Sequence, residues 1–211
     1  MRTQIIARHV CRVGEGLRKN TMHEEIGLVH APAVALTGLA TGVLFANAAP
    51  TADSPSVAAF RTVAKVLNHP RCMNCHTTVN WPTQGDDRHR HTFNVMRGTD
   101  GGGPAGVRCT TCHQDKNQDS MNIPGAKNWH MAPLAMGWTN LSPAALCKAL
   151  LDPAKNGGRT GDRVIDHMRA DALVVWAWTP GSKRKAPDVS HAALMAAAET
   201  WIKKGAECPQ Q

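Results

Sequence analysis

Tyrosine is absent from this sequence, phenylalanine occurs three times, and aromatic residues make up only 4% of the chain. No stripe of Lys and Arg is interleaved with aromatic rings, which argues against a nucleic-acid surface. Charged residues are also sparse at 19%, while Gly (18) and Pro (13) are frequent. A 211-residue chain of this kind is globular and long enough for one domain, but its core is thin and its loops are long. Side chains alone leave that core short of apolar bulk. The uncharged apolar run from Ala31 to Ala46 falls short of the ~20 residues a spanning helix needs, and no other segment is a better candidate.

That run reads instead as the hydrophobic part of an export signal. Arg2, Arg8, Arg12, Arg18 and Lys19 precede it, and the small-x-small site Ala46-Asn47-Ala48 closes it. Met22 is an alternative start, although "MHEEIGLVH" would then be an atypical, acidic leader; an uncleaved anchor is the competing reading. The expected organisation is a signal peptide over 1–48, a linker over 49–55 and one domain over 56–211. The protein is thereby expected in the periplasm, with no membrane span after cleavage. The part after Ala48 keeps 19 Lys+Arg against 13 Asp+Glu. This moderate basic excess suits docking to an acidic protein partner, and the one tight basic run, "GSKRKAP", reads as a solvated loop.

Two matching clusters stand out within 43 residues: "CMNCH" (Cys72, Cys75, His76) and "CTTCH" (Cys109, Cys112, His113). C-x-x-C-H is the attachment pattern for c-type haem. Two thiols separated by two residues can each form a thioether to one of the two haem vinyl groups. The following His then lies under the iron as its proximal ligand. A signal peptide supports this reading, because such haem is normally attached after export. A four-cysteine zinc site is the first alternative, but 33 residues separate the two pairs and zinc does not explain the His after each. A disulfide within each pair is the second, and neither pair opens the helix of a βαβ unit. Two haem c groups are therefore the expected cofactors, supplying the missing apolar bulk. Of the remaining cysteines, Cys11 leaves with the leader, and Cys147 and Cys208 are expected to pair in an oxidising compartment.

Local signals place four helices: Val57 to Leu67, capped by Ser54 or Ser56 and stopped at Pro70; Ser142-Pro143 to about Leu151; Arg163 to about Ala177, stopped by Pro180-Gly181; and a last one from the Ser190 cap to about Gly205. The segment 77–108 carries turn signals and no sustained period. "GTDGGGPAG" has no Gly-Lys-Ser/Thr after it, so it is not a phosphate loop; it reads as a place where backbone passes close to a flat cofactor. No strand pairing is expected. The fold class is mainly α, with cytochrome c-like helices and long loops wrapped around two covalently attached haems.

Each iron has a sixth position, where Met or His means electron transfer and an open site means ligand chemistry. His167 is the first choice, on a helix face shared with Val174 and Trp178; His91, in the loop between the clusters, is the second. Met131, two residues before Pro133, is the runner-up. Two His ligands predict low reduction potentials, and a Met would raise one of them.

The stretches "NHPRCMNCH", "QGDDRHRH", "VMRGTDGGG", "CTTCH", "PGAKNWHMAP", "LCKALLDPAKNGG", "VVWAWTPG" and "WIKKGAECP" cover nearly all of residues 56–209. In them the chain resembles the bacterial dihaem c-type cytochromes grouped as isoquinoline 1-oxidoreductase subunits. The resemblance implies a periplasmic one-electron carrier rather than an enzyme in its own right. Its donor would be a molybdenum-hydroxylase-type dehydrogenase and its acceptor the respiratory chain. The molybdenum centre itself is not on this chain, which has no ferredoxin-type Cys spacing. The rival functional readings are a peroxidase-like haem enzyme with one open iron and, more remotely, a four-cysteine zinc interaction module.

Overall fold

The first helix of the domain, α1 (Pro55–Leu67), begins where Ser54 accepts a hydrogen bond from the Val57 amide (3.2 Å) and Pro55 takes the first turn. The computed structural model describes residues 52–181 and 183–210, all within one unit, Ala48–Gln211. The expected signal peptide lies outside the described residues. After α1 come α2 (Pro70–Met73), the hairpin strands β1 (Thr83–Gln84) and β2 (His89–Arg90), a second hairpin of β3 (Lys116–Gln118) and β4 (Ile123–Ala126), then α3 (Pro143–Leu151), α4 (Gly161–Ala170), α5 (Ala172–Val175) and α6 (His191–Lys203). Helices dominate the regular structure, and much of the chain is loop.

Three sequence expectations need correction. Pro70 ends α1 only to open α2, because His69 caps the new turn by accepting from the Arg71 amide (3.2 Å). The helix expected from Arg163 to Ala177 breaks at Asp171, which leaves helical geometry and caps α5 through bonds from the Leu173 (2.9 Å) and Val174 (3.3 Å) amides. The break removes the shared face expected for His167, Val174 and Trp178. Strand pairing does occur: β1 with β2 and β3 with β4, both antiparallel. These strands are two to four residues long, too short to show a period of two in the sequence.

The core lies where α1, α3, α4 and α6 meet, around Phe60, Val63, Leu146, Cys147, Leu194 and Trp201. Phe60 and Trp201 pack with ring centroids 4.9 Å apart. Ser56, the other cap candidate, is buried. It donates to the Trp201 carbonyl (3.0 Å) and accepts from the Glu207 amide (3.0 Å), tying α1 to the end of α6. Cys147 on α3 is disulfide-bonded to Cys208 in the tail beyond α6. With a sequence separation of 61 between the cysteines, the loop-entropy model assigns the bond about 4 kcal/mol. Replacing both cysteines by Ala is expected to lower the urea unfolding midpoint accordingly. Among the described residues, no helix is long and apolar enough to cross a membrane.

Candidate cofactor sites

Each C-x-x-C-H segment folds as one helical turn. In the first, the Cys75 and His76 amides donate to the Cys72 carbonyl (3.2 and 3.1 Å); in the second, the Cys112 and His113 amides donate to the Cys109 carbonyl (3.2 and 2.9 Å). Residues i, i+3 and i+4 of a helical turn share a face, and at the first centre Cys72, Cys75 and His76 line one cavity.

The two histidines are held alike. Nδ1 of His76 donates to the Met136 carbonyl (2.8 Å), and Nδ1 of His113 donates to the Pro124 carbonyl (2.8 Å). A carbonyl can only accept, so Nδ1 carries the proton and Nε2 keeps its lone pair. Each ring also stacks on a tryptophan: His76 on Trp138 at 3.5 Å and 9°, His113 on Trp129 at 4.4 Å and 8°. Burial pushes the His76 pKa down to about 4 and lowers that of His113. Burial likewise pushes the Cys72 thiol up to about 12 and the Cys75 thiol up to about 11. The first centre is therefore neutral near pH 7, with free thiols for alkylation and an imidazole ready to bind metal.

A cavity of about 380 Å³ opens in front of Cys72, Cys75 and His76. Leu67, Trp138, Leu150, Val164, Met168 and Val174 make much of its wall. His167 enters from α4 although the helix ends three residues later. Its Nδ1 lies 3.4 Å from the Asp171 carboxylate, and that hydrogen bond holds the Asp171 pKa down to about 2. His167 and His76 thus border one apolar chamber. Arg71, 6% exposed, lines it too. One end of its guanidinium reaches Asp86 and the Gly85 carbonyl, whereas Nε has no partner among the described residues. An apolar plate bearing carboxylates, with two olefinic positions that alkylate the thiols and a metal for the imidazole, fits this set of groups.

The second centre is more open. Cys109 is buried, Cys112 is exposed and His113 is half-buried. His91 stands with its ring centroid 6.0 Å from that of His113 and its plane turned by 76°. Its Nδ1 donates to the Thr92 carbonyl (2.7 Å), again leaving Nε2 free. Nitrogens on either side of one metal lie about 2 Å from it, which with half a ring at each end sets the centroids about 6 Å apart. The centroid separation of His91 and His113 therefore matches the spacing of two imidazoles that share a metal. Met131, the runner-up ligand, is buried but does not line the first cavity; its amide donates to the Gly101 carbonyl (2.8 Å).

The glycine-rich loop makes close approaches to protein. A Cβ on Gly101 (φ +80°) would lie 2.4 Å from the Met131 carbonyl oxygen, and one on Gly103 (φ +85°) 2.4 Å from that of Val107. Backbone here approaches backbone, which braces the turn entering Cys109. Asp100 completes the brace by accepting from the Gly102 amide (2.9 Å) and from Arg108 (2.7 and 3.0 Å). The Arg108 bond, followed by that from Gly102, holds the Asp100 pKa down to about 2. A depressed carboxylate stabilises the fold fully above its unfolded value of about 3.9. That contribution is lost as pH falls through about 2. The Gly102 amide chemical shift is expected to titrate in this window, and Asp100→Asn to abolish the titration.

The sequence does not single out Trp129, Trp138 and Trp176, nor the Met136 and Pro124 carbonyls. His130 also lines the first cavity. Five of the six tryptophans follow the second motif in a chain so poor in aromatics, and that is the available signal. Among the described residues, no group of three or more His, Cys, Asp or Glu side chains is gathered as a metal-ion site. The two Cys pairs therefore do not assemble a four-cysteine zinc centre. No family model, curated protein or solved structure matches the chain.

Proposed function

We propose that the protein is a periplasmic dihaem c-type cytochrome that carries single electrons from a molybdenum-hydroxylase-type dehydrogenase to the respiratory chain. The observation that carries this reading is the matched construction of the two centres. Each presents two thiols and a histidine on one helical turn, with Nδ1 bound to a backbone carbonyl, a tryptophan stacked on the ring, and a second histidine nearby. When bound, haem c supplies a one-electron iron couple. Cys72, Cys75, Cys109 and Cys112 would anchor it; His76 and His113 would be proximal ligands, with His167 and His91 facing them. A histidine on each side of both irons favours electron transfer over peroxide chemistry, which needs an open position. The low-dielectric wall of the first cavity and the more open second centre would give the two irons different surroundings, a lever on potential. The open centre is the one within reach of a protein partner.

The test is a pyridine haemochrome assay with intact-mass measurement and a visible spectrum on exported protein. Two covalent porphyrins per chain and two low-spin irons are expected. A colourless protein of bare polypeptide mass would overturn the reading. A high-spin iron that turns over peroxide would replace it with the peroxidase-like one.

A further inference from the structure

We propose that Trp129 is the coupling element between the two centres: it carries electrons from one iron to the other and fixes the plane of His113. The inference rests on the dihaem reading above. Trp129 belongs to both sites. One face of its indole lies parallel to His113 at 4.4 Å and 8°, while the residue also lines the cavity in front of His76. There it meets Trp176, another wall residue, edge to face at 4.8 Å and 77°. A continuous aromatic path therefore runs from the second centre's histidine to the wall of the first.

The path is anchored at both ends. Asn117 on β3 accepts from the Trp176 indole N–H (2.8 Å) and from the Gly125 amide (3.0 Å). Gly125 follows Pro124, whose carbonyl holds His113. Asn128, just before Trp129, sits at φ +59°, a conformation that Asn tolerates better than most residues. The stack and the Pro124 bond together leave the His113 ring little freedom to turn. The step is a bare electron transfer: one iron passes from ferrous to ferric as the other passes from ferric to ferrous, with no proton moved and no bond broken.

The experiment uses the full-length holoprotein, reduced by one electron in a rapid pulse, with re-equilibration between the haems followed optically. Trp129→Ala is expected to slow that phase by an order of magnitude and to shift the low-spin electron paramagnetic resonance signal of the His113 haem. Trp129→Phe keeps a stacked ring but shortens its reach towards Trp176; it is expected to retain the resonance signal and slow the transfer. A parental transfer rate in either variant carrying two haems overturns the proposal, and the Phe variant decides the matter where the Ala variant fails to mature. Absence of covalent haem in the parent protein would instead remove the carrier reading itself, so the two failures are distinct.

Discussion

On the dihaem reading proposed above, a chain with Cys72 and Cys75 both replaced by Ala is expected to carry one covalent porphyrin instead of two and to lack a cooperative unfolding transition. The first centre lies against the core: Leu67, Trp138, Leu150, Val164 and Met168 line its cavity and also belong to the main hydrophobic cluster. Without the group that fills it, that cavity of about 380 Å³ would expose its apolar wall to water, at roughly 25 cal/mol per Å². Domains of this size hold only ~5–15 kcal/mol in all. Losing the group that fills the chamber should therefore collapse or loosen α2, α4 and α5 around it. The porphyrin count by haemochrome and the thermal transition by circular dichroism check the two parts separately. A sharp parental transition in the one-haem variant would mean the chamber does not depend on its cofactor. The matching change at Cys109 and Cys112 should be milder, since that centre is open on one side and outside the main cluster.

Signals confined to a few neighbouring residues are legible in the sequence. The Ser54, Ser142 and Ser190 caps stand where Ser precedes an apolar run, and each accepts the expected backbone bond. The C-x-x-C-H spacing is a local rule, and the helical turns that present it follow from the same spacing. The Cys147–Cys208 bond is legible by elimination, as the pair left over. Relations across the chain are not legible. His76 finds its carbonyl at Met136, 60 residues away, and nothing in either stretch announces the partner. The break at Asp171 is hidden because apolar residues continue past it. There an aspartate side chain outcompetes the helix for the Leu173 and Val174 amides. The pattern points to His167 through a helical face that does not exist, yet His167 reaches the cavity because the break folds α5 across the same chamber.

On the same reading, replacing His167 by Ala is expected to turn one of the two haems high-spin and leave the other unchanged. His167 is half-buried, faces the chamber of the first centre, and keeps Nε2 free when Nδ1 is directed at Asp171. The companion variant Asp171→Asn separates ligation from tuning. Asn caps a helix about as well as Asp, so the bonds from Leu173 and Val174 should survive and His167 should stay in place. What is lost is the negative charge beside Nδ1, which raises the basicity of the ligand. A less basic ligand stabilises ferric iron less, so the potential of the first haem should rise in Asp171→Asn while its spectrum stays low-spin. Each tenfold loss of relative ferric affinity corresponds to about 59 mV for a one-electron couple, within reach of a spectroelectrochemical titration. An unchanged spectrum in His167→Ala would strike His167 from the ligand set and pass the role to another cavity residue. His130 and Met136, which line the same wall, would then be the positions to replace.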